Sequence, residues 1–283
     1  MTKIQHFHQS KFLSFNGFLY DFQVPHIMGI INLTPDSFYD QSRKQGINTV
    51  LQEVAKMVEQ GADMIDIGGV STRPGAIPPK QEEEIERILK PLIAIRKEFP
   101  KLIISLDTFR SEVAQLGIEN GVNIINDVSG FSIDQKIVGV VAKYKIPYIL
   151  THSNGLEINE LKEKSEDSIM SRLLHFFSEK IAFLHENGVK DIIIDPGFGF
   201  AKTIDENFEI IRNFEMLQLL EKPILIGVSR KSMIYKTLDI EINQSLNGTS
   251  VLNTILYSKN SSVYRVHDVK EMKEVSVLMN SCL

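Results

Sequence analysis

The alternation of short apolar runs with helical patterns is the feature that most limits how this chain can fold. Eight runs rich in Ile, Val and Leu recur along it, as in the Ile-Ile-Ile that precedes Asp195. Near-continuous apolar strands of this kind are typical of a parallel sheet that is buried on both faces. The eight runs are His26–Asn32, Asp63–Gly69, Leu102–Thr108, Asn123–Ser129, Pro147–His152, Asp191–Gly197, Pro223–Ser229 and Ser262–Asp268.

Helical periodicity fills the segments between these runs. Apolar residues there repeat at three- and four-residue spacing, which predicts amphipathic helices that cover the sheet. The clearest segments are Ile47–Gln60, Gln81–Glu98, Glu166–Asn187 and Asp205–Leu220. Eight strand–helix units with no linker or low-complexity stretch predict an α/β fold of the (β/α)₈, or TIM barrel, type, and an open doubly wound sheet is the alternative.

The N-terminal segment has a different pattern. The pair Asn16-Gly17 is a strong turn signal, and it predicts a β-hairpin over Phe12–Phe22. We expect this hairpin to cover the bottom of the barrel. We therefore predict one domain over residues 1–283, in which residues 1–22 form a hairpin extension.

Composition and charge restrict the partners of the chain. The formal net charge of −5 argues against a broad basic surface for nucleic acid. We find no apolar stretch that approaches the roughly 20 residues needed to cross a bilayer, and the N-terminus does not resemble a signal peptide. The only cysteine, Cys282, allows neither a disulfide framework nor a cysteine-based zinc site, which fits a reducing compartment. We expect a cytoplasmic protein.

Polar residues interrupt the apolar runs at their C-terminal ends. In a (β/α)₈ barrel this end carries the active site, so eight such ends describe one mouth. Any single one of these residues could instead be a helix cap or a turn residue, but that explanation accounts poorly for all eight together. They are Asn32, Asp66, Asp107, Asn126, His152, Asp195, Ser229 and His267.

Longer motifs coincide with the same strand ends. The segment 28–38 reads MGIINLTPDSF, and the motifs that follow it are GADMIDIGGVSTRPGA, SLDT, NIINDVSG, DIIIDPGFGFAKT, GVSRKS and YRVHDV. Their order and spacing from Met28 to Val269 resemble the pterin-binding enzymes, and among these the dihydropteroate synthases.

The resemblance implies a transferase of folate biosynthesis, the target of sulfonamides. The reaction would join 6-hydroxymethyl-7,8-dihydropterin diphosphate to 4-aminobenzoate and give 7,8-dihydropteroate and diphosphate. A pterin-dependent methyltransferase and a catalytically silent pterin-binding barrel are the alternatives. The motifs TPDSF, STRPG, SRKS and RVHD favour the synthase because a methyltransferase has no use for a diphosphate site.

The resemblance also assigns roles to individual residues. The pterin ring would be bound by Asp107, Asn126, Asp195 and Lys231. The diphosphate would be bound by Asn32, Arg73, Arg265 and His267, with Mg²⁺ near Asn32 and Asp36. The 4-aminobenzoate slot would be lined by Thr72, Pro74, Phe38, Phe200, Lys231 and Ser232. Lys231, Arg265, His267, Arg73 and Asp36 would form the catalytic set.

The family resemblance further suggests a homodimer that forms through the last helices. The chain departs from the family pattern at Val70, Thr151 and Ser153, and in the stretch Val251–Ser261, which lacks the usual Ala and Gly. None of these residues carries one of the roles above.

Overall fold

A barrel of parallel strands forms the body of the protein. The computed structural model describes residues 11–15, 17–33, 43–70, 78–153 and 167–282. Within them, a two-stranded hairpin precedes one sheet of eight parallel strands. The hairpin strands are β1 (Phe12–Phe15) and β2 (Phe18–Asp21), and the barrel strands are β3 (His26–Asn32), β4 (Met64–Gly68), β5 (Ile103–Asp107), β6 (Ile124–Asp127), β7 (Tyr148–Thr151), β8 (Ile192–Asp195), β9 (Leu225–Ile226) and β10 (Val263–Val266). The order of the barrel strands in the sheet is β8-β7-β6-β5-β4-β3-β10-β9.

The sheet closes on itself next to β9. Ile194 of β8 forms a parallel bridge with Ile224, the residue before β9. The nitrogen of Ile194 also donates a hydrogen bond to the carbonyl of Pro223 at 3.0 Å. The barrel prediction is confirmed, and the open doubly wound alternative is wrong.

Helices surround the barrel. In the described part of the chain they are α1 (Arg43–Glu59), α2 (Gln81–Glu98), α3 (Ser111–Glu119), α4 (Lys136–Tyr144), α5 (Ile169–Glu186), α6 (Ile204–Arg212), α7 (Ser232–Leu238), α8 (Leu246–Ser258) and α9 (Val269–Cys282), with 3₁₀ turns at Phe214–Leu220 and Ile242–Gln244. None of these helices is long and apolar enough to cross a membrane.

The helix predicted over Asp205–Leu220 is in fact two elements. Helix α6 ends at Arg212, and a 3₁₀ turn follows Asn213. Both the backbone nitrogen and the side-chain Nδ2 of Asn213 donate to the carbonyl of Glu209, at 3.0 and 3.1 Å. This local hydrogen bonding ends the α-helix, because a short amide side chain competes with the helical pattern.

The hairpin covers the bottom of the barrel, as predicted. Leu13 and Phe22 are buried, and they pack against one inward-facing apolar residue from each barrel strand. These eight residues are Met28, Met64, Ile103, Ile124, Ile149, Ile193, Leu225 and Val263. Since side chains alternate along a strand, residues two and four positions further on face the interior nearer the mouth.

Candidate active site

Strand alternation brings predicted site residues into one layer at the mouth of the barrel. Asp107 lies opposite Gly68 of β4 on one side and opposite Asn126 of β6 on the other. Asp195 is the last residue of β8 and lies opposite Thr151. The strand order thus places Asp107, Asn126 and Asp195 at the same end of the barrel, where the sequence predicted them.

A buried carboxylate one layer deeper in the barrel, Asp66, is hydrogen-bonded to residues of the mouth. Asp66 of β4 is fully buried, and its Oδ2 accepts hydrogen bonds from Arg265 Nε at 2.6 Å and from Asn126 Nδ2 at 2.9 Å. Arg265 also donates from Nη2 to Asp107 Oδ2 at 3.1 Å. Arg265 therefore holds two carboxylates from two strands. The sequence did not predict a role for Asp66 in the site, although Asp66 is one of the polar residues that interrupt the apolar runs.

The charges of this network change the pKa values of its members. Burial and, to a smaller extent, the charge of Asp66 raise the pKa of Asp107 to about 7, against the opposing effect of Arg265. For Arg265 burial alone would lower the pKa, but Asp66 and Asp107 hold it above its ordinary value. The guanidinium is therefore a permanent cation, whereas Asp107 can change its protonation state near neutral pH.

A second group of residues lies on the opposite side of the mouth. Asp195 Oδ1 accepts a hydrogen bond from the backbone nitrogen of Gly197 at 2.7 Å, and burial raises the pKa of this carboxyl group. The ammonium of Lys231 lies 3.9 Å from the centroid of the Phe200 ring. Burial and the nearby Arg265 lower the pKa of Lys231 to about 8. Lys231 immediately precedes Ser232, the first residue of α7. The structure therefore brings Lys231 and Phe200 together, and Ser232 follows Lys231 in the chain.

Lys202 supports this side of the mouth and was missed by the sequence reasoning. Its buried ammonium donates to the carbonyl oxygens of Gly197 at 2.9 Å, Phe200 at 3.1 Å and His152 at 3.2 Å. Burial lowers its pKa to about 7. Lys202 thereby ties the loop after β8 to the end of β7. The only signal in the sequence is its place at the end of the DIIIDPGFGFAKT motif.

His267 and Asn32 lie at the rim. Ser229 Oγ is 3.0 Å from Nδ1 of His267, and burial together with the cations Arg265 and Arg230 lowers the pKa of His267 to about 4. Asn32 ends β3 with an exposed side chain. Asp36, Phe38, Thr72, Arg73 and Pro74 lie outside the described residues, so their predicted roles stay predictions.

This arrangement can bind a flat polar ring. The inward-facing carboxylates and the amide offer acceptors and a donor in a largely buried layer, where hydrogen bonds select strongly for a matching edge. Arg265, Lys231 and His267 add donors at the same mouth. Among the described residues, no group of three or more His, Cys, Asp or Glu side chains could hold a metal ion by itself.

Comparison with known proteins agrees with this geometry. Dihydropteroate synthase from Clostridium beijerinckii is 41% identical over 87% of this chain and 90% of its own length. The enzyme of the same name from Bacillus subtilis is 34% identical over 91% of this chain and 88% of its own length.

Solved structures give the same result. Dihydropteroate synthase from Clostridium difficile, determined in the presence of pteroic acid, superposes with a TM-score of 0.86 at 34% identity and covers 91% of this chain and 96% of its own. The Xanthomonas albilineans enzyme with 4-aminobenzoic acid superposes with a TM-score of 0.88 at 29% identity, over 96% and 98% of the two chains. The family model described as pterin binding enzyme matches residues 28–267. Because that range contains every residue of the mouth described above, the chain belongs to the pterin-binding enzyme family.

Proposed function

We propose that this protein is a dihydropteroate synthase, which joins 6-hydroxymethyl-7,8-dihydropterin diphosphate to 4-aminobenzoate. The observation that carries the proposal is the inward-facing layer of Asp107, Asn126 and Asp195, in which Asn126 and Asp195 are buried and the side chain of Asp107 is 15% exposed, backed by the Asp66–Arg265 ion pair. Relatives and solved structures with the same strands are named for this activity.

The pterin ring would lie across that layer. A pterin edge presents amino and ring N–H donors, which ionised Asp107 and Asp195 accept, while Asn126 can both donate and accept. Arg265 balances the charge of the carboxylates beneath the ring. Lys231 lies at the same mouth, close enough for Asp195 and Asp107 to affect its pKa, and can donate to the ring.

The second substrate would enter on the Phe200 side. The Phe200 ring with the Lys231 ammonium above it offers an apolar face and a cation, which suits a flat aromatic acid. Ser232 begins α7 beside them. We propose that Thr72, Pro74 and Phe38 complete this slot, as the family resemblance implies.

The diphosphate would lie at the rim, bound by Asn32, Arg73, Arg265 and His267. Mg²⁺ typically takes one or two protein oxygens and completes its coordination with phosphate oxygens and water. Asn32 fits this requirement because its side chain is exposed at the mouth, and Asp36 is the second candidate. When bound, the ion would neutralise charge on the leaving diphosphate.

The reaction is a displacement at the exocyclic methylene carbon of the pterin. The C–O bond to the diphosphate breaks, the amine nitrogen of 4-aminobenzoate forms the new C–N bond, and the amine loses a proton. No protein nucleophile is needed. The side chains bind and orient the two substrates, and Arg73, Arg265 and His267 stabilise the charge that develops on the leaving group.

The test is an assay of diphosphate release from 6-hydroxymethyl-7,8-dihydropterin diphosphate with Mg²⁺, with and without 4-aminobenzoate. We expect release that depends on 4-aminobenzoate and a product with the mass of 7,8-dihydropteroate. The variant Asp195→Asn tests the pterin site. It replaces one acceptor oxygen with an NH₂ group, so it should raise the KM for the pterin substrate. Release that ignores 4-aminobenzoate, or no release in any condition, would reject the synthase in favour of the methyltransferase or the silent barrel.

We also propose a homodimer through α8 and α9. These helices pack against each other, and Val251, Ile255, Val277 and Leu278 on them are exposed. Sedimentation equilibrium tests this: the doubly substituted Val277→Glu, Leu278→Glu chain should sediment as a monomer if the native chain is a dimer.

The domain organisation and the location of the protein are part of the same proposal. Barrel strands run from His26 to Val266, and the hairpin packs on their starts, which supports a single domain. We expect this domain to work in the cytoplasm, where its substrates would be made.

A further inference from the structure

Ser229 makes two contacts with His267, the residue that follows the neighbouring strand β10. Ser229 follows β9, is buried, and lies beside His267. The backbone nitrogen of His267 donates to Ser229 Oγ at 3.3 Å, and the same oxygen is 3.0 Å from His267 Nδ1. The serine hydroxyl therefore holds both the backbone and the imidazole of His267.

The proton of the hydroxyl decides the state of the imidazole. A backbone N–H can only donate, so that contact uses a lone pair of Oγ. In the described part of the chain, Nδ1 of His267 is the one group within hydrogen-bond distance of Ser229 Oγ that can accept the hydroxyl proton. When the hydroxyl donates to it, Nδ1 is an acceptor, and in a neutral imidazole the ring proton then lies on Nε2.

The surroundings keep the imidazole neutral. Three cations lie close enough to lower the pKa of His267. They are Arg265 of β10, and Arg230 and Lys231, which follow Ser229 in the chain. Asp268 is the opposing carboxylate, and it already binds Arg230 Nε at 3.1 Å and Nη2 at 2.5 Å. Burial and these cations lower the pKa of His267 to about 4.

We propose that Ser229 is a positioning residue that fixes His267 as the Nε2–H tautomer, so that the imidazole gives a neutral hydrogen bond to an anionic oxygen of the substrate. This inference rests on the proposed function only for the identity of that oxygen, which belongs to the diphosphate. Ser229 has no covalent role in this proposal, because the displacement needs no protein nucleophile. His267 thus differs from Arg265, which contributes charge, and its donor persists at neutral pH.

Nitrogen-15 NMR of the histidine side chains tests the tautomer in the free enzyme. The two ring nitrogens of His267, assigned by comparison with His267→Gln, should show a protonated Nε2 and an unprotonated Nδ1 at pH 7. Ser229→Ala should give a mixture of tautomers, and Ser229→Thr, which retains the hydroxyl, should restore the wild-type pattern. A protonated Nδ1 in the wild type, or an unchanged pattern in Ser229→Ala, would overturn the proposal.

Binding measurements test the consequence. In Ser229→Ala the affinity for inorganic pyrophosphate with Mg²⁺ should fall roughly tenfold, the value of one hydrogen bond to a charged group. The KM for 4-aminobenzoate and the affinity for the pterin without its diphosphate should not change. Thr249→Val is the matched control: it removes another buried hydroxyl, which accepts from the Arg230 nitrogen and not from His267. Equal losses in Ser229→Ala and Thr249→Val would reduce Ser229 to a general packing role.

The two experiments separate this inference from the proposed function. A wild-type Nε2–H tautomer with Ser229-dependent pyrophosphate binding, but without turnover dependent on 4-aminobenzoate, would support the role of Ser229 and reject the synthase. Turnover with an unchanged tautomer and unchanged pyrophosphate affinity in Ser229→Ala would support the synthase and reject the role of Ser229.

Discussion

Asp66 holds together the inner polar layer, so its substitution should have a large effect. In Asp66→Asn the amide can still accept one bond, but the negative charge that balances Arg265 is lost, and an NH₂ group replaces Oδ1, which is buried with no hydrogen-bond partner among the described residues. We expect a loss of about 3 kcal/mol in the free energy of unfolding and at least tenfold weaker pterin binding.

Ser105→Ala is the matched control for that variant. Ser105 lies opposite Asp66 on β5, equally buried, and its hydroxyl has no hydrogen-bond partner in the described part of the chain. Removal of an unsatisfied hydroxyl should be neutral or slightly stabilising. Urea unfolding and calorimetric titration measure both quantities. Similar losses in the two variants would mean that burial at this depth, and not the Asp66–Arg265 pair, is what matters.

We expect Asp107 to make pterin binding depend on pH. Its pKa is raised to about 7, so the neutral acid dominates below that pH and cannot accept two donors from the ring. Affinity should rise as the pH increases through 7 and fall again above about 8, where Lys231 loses its proton. Calorimetric titrations between about pH 5 and about pH 9 would show this profile.

Two variants test whether Asp107 is the group that causes the rising limb of this pH profile. Asp107→Asn should remove the rising limb and keep the falling one. Asp66→Asn should move the rising limb to lower pH, because the charge of Asp66 raises the pKa of Asp107. A profile that keeps its rising limb in Asp107→Asn would assign that limb to another group.

The site could be predicted from the sequence only in part. Asp107, Asn126 and Asp195 were placed correctly at the strand ends, because they follow recognisable apolar runs. The partners of Arg265 could not be predicted, since Asp66 and Asp107 are 199 and 158 residues away and meet it only when the barrel closes. Lys202 was missed because it binds backbone carbonyls, and such contacts leave no pattern in the spacing of side chains.

At the scale of single elements, two helix glycines should respond to alanine in opposite directions. A Cβ on Gly117 of α3 would lie 2.4 Å from Leu106 Cδ2 and 3.3 Å from Val122 Cγ2, so either the buried Leu106 side chain or the helix must move. A Cβ on Gly139 of α4 would meet nothing within 4 Å. We expect Gly117→Ala to cost about 1–3 kcal/mol and Gly139→Ala to stabilise by about 0.5–1 kcal/mol.

Chemical denaturation measures both free energies of unfolding with one method. Opposite signs would show that α3 is pinned by close packing on β5 while α4 gains from ordinary helix propensity. Stabilisation in both variants would contradict the tight packing of α3.

Elements were predicted better than their ends. Each of the eight apolar runs contains a barrel strand, yet most runs extend one or two residues beyond it, and only Leu225–Ile226 of the run at 223–229 is strand. Apolar content determines which residues are buried, whereas strand ends depend on pairing with neighbours that the sequence does not reveal. The 3₁₀ turn after Asn213 was missed for a similar reason, because its apolar spacing continues the helical pattern.

In the molecule as a whole, the two ends of the barrel have different tasks. The mouth concentrates buried carboxylates, cations and backbone donors, each of which costs stability when it lacks a ligand. The bottom contains one apolar residue from each strand and is covered by Leu13 and Phe22 of the hairpin. We infer that the bottom supplies stability which the polar mouth does not, as in other barrels of this type.

The variant Phe22→Ala tests whether the bottom of the barrel contributes to stability without affecting binding at the mouth. Phe22 is 1% exposed, packs edge-on against His26 at a ring-centroid distance of 5.0 Å, and is hydrogen-bonded through its nitrogen to the carbonyl of Lys11 at 2.9 Å. Truncation leaves a cavity beneath the strands, so we expect a loss of about 3–5 kcal/mol in the free energy of unfolding. Leu19→Ala on the same hairpin is the control, because Leu19 is 67% exposed and should change stability by less than about 0.5 kcal/mol. Pterin affinity, measured at a temperature where both variants are folded, should equal that of the wild type. Weaker pterin binding in Phe22→Ala alone would show that the hairpin transmits order through the barrel to the mouth and that the two ends are not independent.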